Sequence, residues 1–174
     1  MHLPAIILAC VTLQRLAELV LARRNTQILL ARGAHEIGAR HYPLIVLLHT
    51  SWLATLWLSV GDRPANWWAL GPFIALQPLR LWVLLSLKER WTTRIIVLEN
   101  APLVAAGPYR FLSHPNYLIV ALEIPLLPLS FGLIWQAVGF SVANLILLAL
   151  RIRVETSALR AAGQSGKMKP GGPF

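Results

Sequence analysis

The chain has 174 residues, 56% of them hydrophobic, with only 13% charged and a net charge of +9. Soluble domains are about 25% charged, and a soluble fold of this size has nowhere to hide so much apolar surface, so the bilayer is the expected solvent. The basic residues flank apolar runs instead of forming a stripe, which argues against nucleic acid as a partner. The single cysteine, Cys10, leaves no thiols for an intrachain disulfide, a zinc site or a redox pair. It lies in an apolar run and reads as a small buried hydrophobe.

The N-terminal stretch carries Arg23 and Arg24 after its apolar run, not before it. That order is wrong for a signal peptide, so the stretch reads as an uncleaved first membrane helix. A spanning helix needs about 20 mostly apolar residues. Spans are predicted at about 3–22, 41–60, 66–87, 115–129 and 133–150. The third contains Pro72 and Pro78, and the short fourth contains Pro125 and Pro128. "LSFG" between the last two leaves room only for a tight hairpin.

Lys and Arg alternate across the connections. The first carries Arg23, Arg24, Arg32 and Arg40, and the second only Arg63. The third carries Lys88, Arg90, Arg94 and Arg110, the fourth none, and the C-terminal segment Arg151, Arg153, Arg160, Lys167 and Lys169. By the positive-inside rule the N-terminus lies outside and the C-terminus in the cytoplasm, which fits five spans. Trp67 and Trp68 at the outer end of the third span, and Trp91 past its inner end, read as interfacial anchors. The expectation is an all-α integral membrane protein with one domain over 1–160. The Gly-, Ser- and Pro-rich 161–174 reads as a flexible tail.

Charges inside the spans are expensive and need partners. Gln14, Arg15 and Glu18 share one helix face, so Arg15 and Glu18 can pair locally. Arg80 and Glu123 have no local partner, and a structural bridge and a cavity lining both remain open for them.

The segment from Lys88 to Tyr117 is too polar to span. "TTRIIVL" has the β-branched density of a short extended piece, and "ENAP" and Gly107-Pro108 read as turns. Ser113, His114 and Pro115 open the fourth helix, with Pro in the first turn. A helix start offers free N–H groups and a partial positive charge to an anion. His114 reads either as a simple cap or as a functional residue at that site. In "RIRVETSAL", Arg151 and Glu155 are four apart in the weaker order for helix stabilisation. The hairpin returns them to the membrane face of His114 and Tyr117. They are either snorkelling charges or part of one polar site.

At these residues the chain resembles a known family. "GPYRFLSHPNY" is similar to the Gly-x-Tyr…Arg-His-Pro-x-Tyr signature of isoprenylcysteine carboxyl methyltransferases, and "RIRVETSAL" to their Arg-Ile-x-x-Glu-Glu-x-x-Leu element. "RWTTRIIVL" and "LQRLAELVLARRN" resemble the bacterial branch associated with alkylpyrone O-methylation. Ser113 and Thr156 depart from the family pattern. The aromatic C-terminal extension is replaced by the Gly/Pro tail, which argues against a prenylcysteine substrate.

The resemblance implies an integral membrane methyltransferase that uses S-adenosylmethionine in a cytosol-facing pocket. It implies cofactor binding by Tyr109, His114, Pro115, Tyr117 and Glu155, and catalysis by Arg151 and Glu155. No metal is implied. The chain lacks Gly-x-Gly-x-x-Gly, so a soluble dinucleotide-type fold is excluded. The expected reaction is O-methylation of a lipophilic carboxylate, enol or phenol entering from the lipid. Arg151 would orient or ionise the acceptor, and Glu155 would hold the cofactor's ammonium or act as a base. The implied partners are membrane lipid and a lipophilic small molecule, and the expected location is a bacterial inner membrane with the site facing the cytoplasm. N-methylation of a lipid amine and a non-catalytic transporter or scaffold are the rival readings.

Overall fold

The computed structural model describes residues 3–99 and 101–162. Its helices are α1 (Leu3–Ala31), α2 (Tyr42–Ser59), α3 (Trp67–Leu87), α4 (Pro115–Leu129) and α5 (Ile134–Ala161). Among the described residues, four helices are long and apolar enough to cross a bilayer, and α4 is a shorter apolar helix. At 1.5 Å per residue, the 15 residues of α4 rise only about 22 Å. The chain is an integral membrane protein. Its surface agrees with that solvent: Val20, Leu58 and Leu85 are exposed on the helices. Cys10 is exposed too, against expectation. In lipid the outside of a bundle is as apolar as its interior, so an apolar run does not imply burial.

Helix ends agree with the expected spans to within about two residues, except at two points. Helix α1 continues past residue 22 to Ala31, and α5 continues past residue 150 to Ala161. Hydropathy falls at the arginines, but backbone hydrogen bonding has no reason to stop there. The extensions are held by specific contacts. Asn25, buried in the α1 extension, donates its amide to the carbonyls of Lys88 (3.1 Å) and Trp91 (2.8 Å). Residues 163–174, most of the expected tail, lie outside the described residues.

The expected all-α class needs one correction. His35–Ile37 (β1) pairs antiparallel with Ile95–Val97 (β2), in the register His35 to Val97 and Ile37 to Ile95. The second strand is the predicted extended piece. The first is only three residues long, and that is too short to show a period-two pattern. Arg94 grips Glu36 through both carboxylate oxygens (2.9 and 2.7 Å) and lies over the Tyr42 ring. Ile95 and Val97 pack on Ala158, so the ribbon is pinned to the end of α5.

The hairpin between α4 and α5 is tight, as "LSFG" required. Gly132 takes a left-handed φ of +70°, and Leu133 donates its N–H to the Pro128 carbonyl. Pro128 itself has no N–H for the carbonyl of Ile124 one turn back. The buried indole of Trp52 on α2 donates there instead, at 3.1 Å. The proline gap thus becomes a junction between α2 and α4.

The intramembrane charges form one network. Arg80 on α3 binds Glu18 on α1 through Nε and Nη2, both at 2.5 Å, and Glu123 on α4 through Nη1 at 2.8 Å. Arg15 bridges the same two carboxylates, at 3.0 and 2.8 Å. Gln77 donates to Glu123, and Gln14 donates to both Glu18 and the Gln77 carbonyl. Two cations meet two anions, so the cluster is neutral. Breaking a buried pair from one side strands the other charge at a cost of about 3–5 kcal/mol. Arg80→Met is therefore expected to lower unfolding stability in mild detergent by about that amount, and Arg80→Met with Glu18→Met together by less than the sum of the singles. A loss below about 1 kcal/mol in denaturant titration of Arg80→Met contradicts this reading.

Candidate functional site

The polar segment after α3 folds back under the bundle. Trp91, expected as an interfacial anchor, is only 3% exposed and packs with Ala22, Val83 and Ile119. Packing among α1, α3 and α4 removes it from the surface. Trp67 and Trp68 are exposed, as anchors would be. Gly107 opens a one-turn 3₁₀ helix, Gly107–Arg110, at φ +58°. A Cβ there would stand 2.0 Å from the Ser86 hydroxyl, so the turn passes α3 at a distance only glycine permits. That approach brings Tyr109 down onto Val83 and Trp91.

Pro115 then starts α4, with His114 at its N-cap. The N–H groups of Tyr117 and Leu118 both turn back to the His114 carbonyl (3.1 and 3.3 Å). The Leu118 bond is the first regular helix bond, whereas the Tyr117 bond consumes one donor that the helix start was expected to offer an anion. The His114 ring stacks on Tyr117 with centroids 5.4 Å apart. The α5 extension completes the group. Arg151 donates from Nε to the Tyr117 hydroxyl at 2.8 Å, and that hydroxyl donates to Glu155 in a short hydrogen bond. Tyr117 therefore stands between the cation and the carboxylate. Among the described residues Arg151 has no direct ion pair.

These side chains line an open cavity of about 270 Å³, the more polar of two in the bundle, walled by Tyr109, Ser113, His114, Tyr117, Arg151 and Glu155 together with β2 and the loop after it; it is called the polar cavity below. Pro115, expected beside them, is not a wall residue; it is buried at the helix start and sets the direction of α4. The Tyr109 phenol pKa is raised, by burial first and by the Glu155 charge second, so the hydroxyl stays a donor at neutral pH. No group of three His, Cys, Asp or Glu able to hold a metal occurs among the described residues.

A second cavity, about 450 Å³ and mainly apolar, lies between α1, α2, α4 and α5. Trp91, Thr92, Asn116, Tyr117 and Arg151 line both spaces, so the two share a wall. Asn116 was not anticipated. Its side-chain oxygen is buried without a partner on that wall. Its place in "HPNY", between two residues already singled out, was the available signal.

The sequence model of the isoprenylcysteine carboxyl methyltransferase (ICMT) family matches residues 68–161, the stretch that builds the polar cavity. The chain belongs to this family. Membership makes it a membrane methyltransferase. Two relatives extend the match towards the N-terminus. The uncharacterized protein YpbQ of Bacillus subtilis is 38% identical over 160 residues, spanning 89% of this chain and 95% of its own. An uncharacterized protein of Haemophilus influenzae is 27% identical over 161 residues, spanning 87% and 91%. No solved structure matches. The ICMT match takes in both halves of the polar group, the α4 start and the α5 extension. It also takes in Arg80 and Glu123 of the charge network.

Proposed function

We propose that this protein is an S-adenosylmethionine-dependent O-methyltransferase that modifies a lipophilic carboxylate, enol or phenol drawn from the bilayer. The observation that carries the reading is the wall shared by a polar and an apolar cavity, with Tyr117 and Arg151 in it. Methyl transfer needs a nucleophile and a methyl donor aligned in one closed space. A polar cofactor and an apolar acceptor arriving from opposite sides would meet at that wall.

The residues present fit the cofactor. Its ammonium requires acceptors, and Glu155 and the orphaned oxygen of Asn116 supply them. Its aromatic and sulfonium parts suit the faces of Tyr109, His114 and Tyr117. When bound, S-adenosylmethionine supplies an electrophilic methyl group on a sulfonium. The chain supplies position and charge. Arg151 favours the anion of a carboxylate, enol or phenol at the wall. Tyr117 fixes the guanidinium through its Nε and holds Glu155 aside by a hydrogen bond, so Glu155 is placed for the cofactor and not for the acceptor.

Arg151 also favours O- over N-methylation. A cation facing the apolar cavity attracts an oxyanion and repels an alkylammonium.

The same reading places five spans in a bacterial inner membrane, with α4 as a short one, the N-terminus outside and the polar cavity on the cytoplasmic side. The supporting observation is the basic loops, which gather at the end where α1, β2 and α5 emerge. Alkaline phosphatase fused to the C-terminus is expected to be inactive and a fluorescent protein there to be bright. The opposite pair of signals reverses the orientation.

Titration of S-adenosylhomocysteine into purified protein is expected to give saturable heat, weakened about tenfold by Glu155→Gln. Arg151→Met is expected to lower turnover of a labelled membrane extract by about a hundredfold, on the scale of losing one preorganised donor. No heat from the native protein overturns the enzyme reading, and labelled N-methyl products overturn the O-methyl assignment.

A further inference from the structure

The apolar cavity is not uniformly apolar. Its wall on α4 runs from Tyr117 through Val120 to Glu123 and Ile124, and on α5 from Arg151 through Leu148 and Leu147 to Asn144. The two helices are antiparallel neighbours. Glu123 is six residues beyond Tyr117, and Asn144 is seven before Arg151, which puts both about 9–10 Å along the cavity from the shared wall. Arg15, bonded to Glu123 at 2.8 Å, stands at that same depth.

Two donors at this level have no acceptor. The Asn144 side-chain nitrogen is buried without a partner, in a residue only 1% exposed, and the Arg15 Nε is likewise buried and unpaired. Both residues line the cavity. Leaving a buried donor unsatisfied is costly, more so at membrane depth, where no bulk water reaches. Arg15 reaches Glu18 through Nη1 and Glu123 through Nη2, so its two ion pairs do not use Nε. Leu147, Leu148 and Val120 lie between this level and Tyr117–Arg151.

We infer that Asn144 and Arg15 form a second recognition point for the acceptor substrate, which therefore carries a hydrogen-bond-accepting oxygen about 10 Å from the oxygen that is methylated, joined to it by an apolar stretch. The inference rests on the apolar cavity being the acceptor site of the proposed reaction. It narrows the substrate class from any lipophilic acid or phenol to a bipolar one, such as a long-chain oxo-acid or a keto-alkyl phenol. A plain hydrocarbon tail leaves both donors unpaired and is discriminated against, in the way a site built to hydrogen-bond a substrate rejects the analogue lacking that group.

The test uses the whole protein in lipid nanodiscs and two probes. One is dodecanoic acid; the other is the same acid with a ketone about 10 Å from its carboxylate. Trp52, Trp57 and Trp91 line the cavity, so binding is read by tryptophan fluorescence. The oxo-acid is expected to bind about tenfold more tightly, the value of one well-made buried hydrogen bond. Asn144→Leu is expected to reduce that ratio to about threefold or less, while Asn144→Gln, which keeps a donor, retains most of it. The native comparison stands whatever the variants do to folding. Equal binding of the two acids overturns the inference, as does an undiminished ratio in a folded Asn144→Leu. Binding of neither acid also overturns it. S-adenosylhomocysteine titration of the same nanodiscs then reads separately whether the polar cavity holds its cofactor.

Discussion

A bilayer gives helices almost no hydrophobic reason to associate, because lipid tails are as apolar as leucine. This bundle is drawn together by a neutral cluster of two arginines and two glutamates instead. Arg80 reaches Glu18 on α1 and Glu123 on α4 from a position on α3, and Arg15 closes the same pairs from the other side. None of these charges is tolerable alone at that depth, so the three helices share one register. Everything nearer the polar end is measured from that fixed level.

Once α4 is fixed at Glu123, its first turn must emerge about 9 Å away, at Tyr117, with His114 just before it at the N-cap. The short hairpin then fixes α5 against α4, and the long α5 carries Arg151 and Glu155 back to the same place. The two-stranded ribbon covers this end and packs on Ala158. Of the proposed site residues, Tyr117, Arg151 and Glu155 thus sit on continuous helices rather than on free loops, which suits a reaction that depends on alignment. The network has a second role as the far wall of the apolar cavity. The charges that assemble the bundle also give that cavity a polar end.

Much of this was legible in the chain. Bilayer thickness translates hydropathy into helix bounds, so most helix ends were placed closely. The clustering of His114, Tyr117, Arg151 and Glu155 followed from the hairpin. Other features were hidden for physical reasons. Glu18 and Arg80 are 62 residues apart, and helical periodicity reports only neighbours along one helix. Trp91 looked like an anchor because its packing among α1, α3 and α4 leaves no local trace, and Cys10 looked buried because lipid hides the difference between inside and outside. The α1 and α5 extensions are polar helices, invisible to a hydropathy window. Asn144 is one of two amides in a largely apolar helix, and only its depth relative to Arg151 gives it meaning.

The central claim is that the cofactor and the acceptor meet at the wall formed by Trp91, Asn116, Tyr117 and Arg151. An experimental structure with S-adenosylhomocysteine bound tests it most directly. The account predicts the ligand in the polar cavity, with its ammonium near Glu155 and its sulfur turned to the shared wall. Density for the ligand in another cavity, or in this one with the sulfur facing away from Arg151, would contradict it.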